Sequence, residues 1–100
     1  MFTVDETVYT LKYNMKKLKT IELTAKTSIL GEIAKNNGIM PLPILEHLFS
    51  LALVEESTNA VVKQSEATEM FYKLIENDGL ITVNTAIVEK LQTDLGFMFR

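Results

Sequence analysis

The sequence predicts an α+β fold in which a small N-terminal β-hairpin packs on a bundle of four to five helices. Two patterns carry that expectation. Residues 2–13 are rich in Thr, Val and Tyr, and Tyr9, Leu11 and Tyr13 alternate with Val8, Thr10 and Lys12, the two-residue period of a half-buried strand. From residue 14 onward the apolar residues recur at three- and four-residue spacing, in five stretches separated by polar or Gly- and Pro-containing breaks. One hundred residues, 47% of them apolar and 23% charged, suit a single domain over residues 1–100 and are too hydrophobic for intrinsic disorder.

Each element has its own signals. The hairpin should span residues 2–13 and turn at Asp5-Glu6-Thr7, although tight turns usually want Gly or Asn. Asn14 is placed to cap a helix over about 15–25, with Met15, Leu18, Ile21 and Ala25 inward and Lys16, Lys17, Lys19 and Glu22 outward. Thr27-Ser28 should open a second helix, 28–36, that buries Ile29, Leu30, Ile33 and Ala34 and stops at Asn36-Asn37-Gly38. Pro41 and Pro43 suit the first turn of a third helix, 42–54. Its Ile44, Leu45, Leu48, Phe49, Leu51, Ala52, Leu53 and Val54 are apolar nearly all round, as befits a central helix. After a polar loop at 55–59, Ser65 should cap a fourth helix, 65–77, whose inner face carries Ala67, Met70, Phe71, Leu74 and Ile75. Glu69 and Lys73 are spaced to pair on its outside, and Asn77-Asp78-Gly79 should end it. The fifth helix, about 83–95, should start near Thr82, align Val83, Ile87, Leu91 and Leu95, and end at Gly96.

Composition excludes several functions. There is no cysteine, so disulfides, thiolate chemistry and zinc–cysteine sites are ruled out. The start of the chain has neither the basic region nor the apolar core of a signal peptide, and the apolar stretch 39–54 is short and interrupted for a membrane span, so a soluble cytoplasmic protein is expected. The net charge is −3, with six Lys against five acids in residues 1–50 and four basic residues against eight acids in residues 51–100. A weakly acidic chain with one Arg is a poor ligand for nucleic acid.

No catalytic, cofactor or metal site is expected. His47 is the single histidine, and its neighbour Glu46 would point about 100° away on a helix. The acidic residues do not converge, and no GxSxG, P-loop, GxGxxG or calcium-loop pattern occurs. Two surface features remain. Lys12, Lys16 and Lys19, with Lys17 and Lys26 close by, read first as a solvated face and second as a site for an acidic partner. The tail Phe97-Met98-Phe99 either folds back over the core or forms an apolar patch of the kind that marks a partner site. Phe97, Met98 and Phe99 are therefore the candidate partner-binding residues, and weak homo-oligomers are expected from uncovered apolar surface.

A strand pair closing on Tyr-Thr-Leu-Lys-Tyr, then Met15-Lys-Lys-Leu-Lys-Thr-Ile21-Glu22, then Lys26-Thr27-Ser28-Ile29-Leu30, resembles the small tail assembly chaperones of long-tailed phages and prophages of Gram-positive bacteria. The likeness continues through the apolar helix, the acidic loop and the final helix pair. This chain differs in having Asp5-Glu6-Thr7 where the family commonly has an Asp-Gly-Lys-like turn, and Ala25 where a Gly often stands. The resemblance implies a non-enzymatic protein that coats the tape measure protein while tail tube protein polymerises around it. It implies action in the cytoplasm of the bacterial host, absence from the mature virion and, in many such phages, a frameshifted longer product. Two other readings stay open: another phage structural or connector protein, and a small helical transcriptional regulator.

Overall fold

A computed structural model describes residues 2–35 and 37–99, and its fold is α+β, a small antiparallel sheet packed on helices. The hairpin forms from β1 (Phe2–Val4) and β2 (Thr7–Leu11), with Val4 opposite Thr7. The turn is thus two residues, Asp5 and Glu6, and Thr7 belongs to the strand rather than the turn. Both turn residues have positive φ, 49° and 68°, the mirror-image geometry that matches the strands' twist. Asp5 tolerates that region but Glu6 does not favour it, so the second turn position is the strained one. Replacing Glu6 with Gly should raise stability by about 0.5–1 kcal/mol, measurable as a shift in urea midpoint without a change in slope. An unchanged or lowered midpoint would mean that the turn carries no strain.

Helix α1 (Met15–Ala25) begins as expected, with the Asn14 side chain accepting from Lys17 N–H at 2.7 Å. Leu18 and Ile21 are buried, but Met15 is 60% exposed and does not join the core. Lys26 ends the helix in the left-handed region, at φ 57°. Glu22 then reaches forward, its carboxylate accepting from Ile29 N–H at 2.8 Å and so capping α2 (Ile29–Lys35). The Ser28 hydroxyl accepts from Gly31 N–H on the same turn. In α2 Ile29 is buried, Leu30 and Ile33 are half-buried, and Ala34 faces outward, contrary to its expected place in the stripe. Asn36, expected in that helix and in its stop, lies outside the described residues.

Helix α3 (Leu42–Ser50) is the hub. Leu45, Leu48 and Phe49 are fully buried, and the Phe49 ring meets Phe2 and Phe71 at centroid distances of 5.2 and 5.6 Å. The expected helix over 42–54 is nevertheless too long. After Leu51 and Ala52 the chain straightens into β3 (Leu53–Glu55), which pairs antiparallel with β2 and gives the sheet order β1-β2-β3. The cause is the free edge of β2: a longer helix would leave its backbone groups unpaired. As a strand, the segment pairs Tyr9, Thr10 and Leu11 with Glu55, Val54 and Leu53, and Lys12 N–H donates to Ala52 O at 3.1 Å.

Val62 N–H then donates to Leu53 O at 3.2 Å, holding the returning chain against β3. From there α4 (Gln64–Asp78) starts one residue earlier than expected, with Lys63 rather than Ser65 at the cap position and no capping side chain. Ala67 and Phe71 are its buried residues, while Met70, Leu74 and Ile75 are half-buried. Gly79, at φ 89°, ends α4 and immediately starts α5 (Leu80–Asp94). One residue in a conformation costly to L side chains serves both helices, which is why α5 begins at Leu80 and not near Thr82. The expected stripe of Val83, Ile87, Leu91 and Leu95 is buried throughout. Among the described residues the ion pair that forms is Lys90–Asp94, at 2.8 Å, and not Glu69–Lys73. No helix among the described residues is long and apolar enough to cross a membrane.

Candidate partner-binding surfaces

The tail beyond α5 is built on the turn that ends the helix. Leu95 is buried and donates its N–H to Leu91 O at 2.8 Å, and Met98 N–H donates to Leu95 O at 2.8 Å. Gly96–Phe99 thereby form one 3-10 turn. Its three-residue period spreads successive side chains around the axis, so the three candidate residues part company. Met98 and Phe99 are half-buried and pack back on the core, whereas Phe97 is 49% exposed. Met98 and Phe99 thus fold back on the core, and Phe97 alone of the three stays exposed.

The exit of β2 is fastened beside this turn. Tyr13 is buried, its hydroxyl donates to Leu48 O at 2.7 Å, and its backbone N–H donates to the Asp94 carboxylate at 2.9 Å. Burial, and then the negative charge of Asp94, push the Tyr13 phenol well above its ordinary pKa, so it stays neutral and donating. The other Asp94 oxygen accepts from Lys90.

Glu46 accepts a hydrogen bond from the Tyr72 hydroxyl, which raises the Tyr72 pKa, with burial adding to the effect. His47 Nδ1 and Ser50 Oγ are buried with no hydrogen-bond partner among the described residues. Asn84, also buried, works structurally: its side-chain oxygen accepts from Met40 N–H at 3.0 Å and its amide donates to Gly38 O at 2.6 Å. Among the described residues no group of three His, Asp or Glu is placed to hold a metal. Shallow grooves of about 220 and 230 Å³ lie beside β2 and α5 and beside α1, respectively, and neither contains a histidine.

The lysines singled out by sequence gather on and around α1. Lys12, Lys16, Lys19 and Lys26 are exposed and Lys17 is half-buried. Sequence reasoning missed the apolar residues among them. The helical spacing predicts Met15 in the core and gives Leu23 no role, yet the two are 60% and 70% exposed. Their signal was the four-residue spacing Met15-Lys19-Leu23, which sets both on the side carrying a lysine.

Neither family models, nor curated proteins, nor solved structures match this chain. What defines its class is the architecture: a three-stranded sheet on a hub helix, with apolar side chains left on the outside.

Proposed function

We propose that this chain is a non-enzymatic tail assembly chaperone that keeps a tape measure protein soluble while tail tube protein assembles around it. The observation that carries the reading is the exposed Phe97 side chain, carried beyond α5 on a hydrogen-bonded turn whose other two apolar residues pack on the core. The order of elements from hairpin to final helix pair, with its likeness to that family, supports it. An aromatic side chain, with only two rotatable bonds, loses little freedom on binding and makes an effective anchor. Many modest contacts of this kind shield a long helical partner and still release it as tube subunits arrive. In this reading the protein acts in the host cytoplasm and is absent from the finished virion.

The test is co-expression with the candidate tape measure protein, comparing soluble yield for the parent chain and Phe97→Ser. The variant should fold normally by circular dichroism and lose most of the partner to the pellet, since anchor truncations cost about 2 kcal/mol or more. Equal rescue by both chains would move the binding surface away from Phe97. Rescue by neither would remove the chaperone reading.

A further inference from the structure

We infer that the outward face of α1 is a docking surface for an acidic amphipathic helix of a partner protein. The inference stands whether or not that partner is a tape measure protein. Leu18 and Ile21 point into the core, so the opposite side of the helix is centred on Lys16, Lys19, Thr20 and Leu23, with Met15 at its start. Lys16 and Leu23 lie roughly 10 Å apart along the axis, two turns of helix. Two large apolar side chains, 60% and 70% exposed, thus bracket the lysines on a rigid element.

Charge indicates the occupant. Residues 12–26 hold five Lys and one acid, Glu22. The Glu22 carboxylate is turned away to the N-terminus of α2, where it accepts from Ile29 N–H. The lysines therefore lack a carboxylate on their own helix, and a face of positive charge flanked by Met15 and Leu23 complements a helix with carboxylates beside an apolar stripe. An anionic membrane is the poorer match. Helices that lie in a lipid interface present a continuous apolar face, commonly with aromatic residues. Here lysines occupy the centre of the face and the apolar residues stand at its two ends.

The test is an NMR titration of the full chain with a synthetic helical peptide carrying Leu at i, i+3 and i+7 and Glu on the flanking positions. The same peptide with Lys for Glu, and vesicles containing about one-third anionic lipid, serve as comparisons. The acidic peptide should shift the amides of α1 and bind less tightly as salt rises from about 0.05 to about 0.5 M. Leu23→Ser and the pair Lys16→Glu/Lys19→Glu should each weaken it about tenfold or more, with circular dichroism unchanged because these side chains are exposed. Shifts outside α1, equal binding of the basic peptide, indifference to Leu23→Ser, or a preference for vesicles would each overturn the inference.

Discussion

Replacing Phe49 with Ala should lower the unfolding free energy by about 3–5 kcal/mol, which is a large share of the roughly 5–15 kcal/mol available to a small domain. Its ring is fully buried and touches Phe2 of the hairpin edge-on and Phe71 of α4 at a tilt, so one side chain joins three elements. The loss has two parts: the apolar surface no longer buried, and the cavity that a rigid helix and a paired strand cannot collapse to fill. Leu48→Ala should behave similarly, at about 2–5 kcal/mol. Urea unfolding followed by circular dichroism measures both, and a Phe49→Ala loss under about 1 kcal/mol would show that α3 is not the hub.

Asn84→Leu should cost about 2–4 kcal/mol although it keeps the branched shape of the side chain and increases apolar burial. The side chain bonds Met40 N–H and Gly38 O, so the substitution strands a buried donor and a half-buried acceptor. The penalty comes from those orphaned backbone groups more than from the two bonds themselves. Chemical denaturation gives the size of the effect, and hydrogen exchange at the Met40 amide gives its location. A neutral or stabilising result would mean that residues 38–40 find other partners.

Helix α5 was legible because it had one clear apolar face: Val83, Ile87, Leu91 and Leu95 are buried as their spacing required. Strand β3 was hidden because Leu51, Ala52, Leu53 and Val54 continue the apolar run of α3. A short apolar run fits a buried strand as well as a buried helix. What decides between them is the unpaired edge of β2, some forty residues earlier in the chain. Asn84 was readable in principle, since it shares its helix face with Ile87 and Leu91, yet a polar side chain there gives no hint of its backbone partners. The split tail depends on the 3-10 turn after Leu95, which apolar composition does not specify. The lysine face was visible as charge, whereas Met15 was misplaced because it falls just before the helix sinks into the core.

The bond from Tyr13 N–H to Asp94 has a bearing on how the molecule opens. Its partners are 81 residues apart, so this amide stays covered only while the end of α5 remains seated against the exit of β2. Fraying of α4, or opening of the hairpin at Asp5 and Glu6, can proceed without breaking it. Exchange at Tyr13 with solvent deuterium therefore counts only those excursions in which the two ends of the fold come apart. One backbone position thus acts as a built-in clock for separation of the chain's distant parts, readable in the untouched protein.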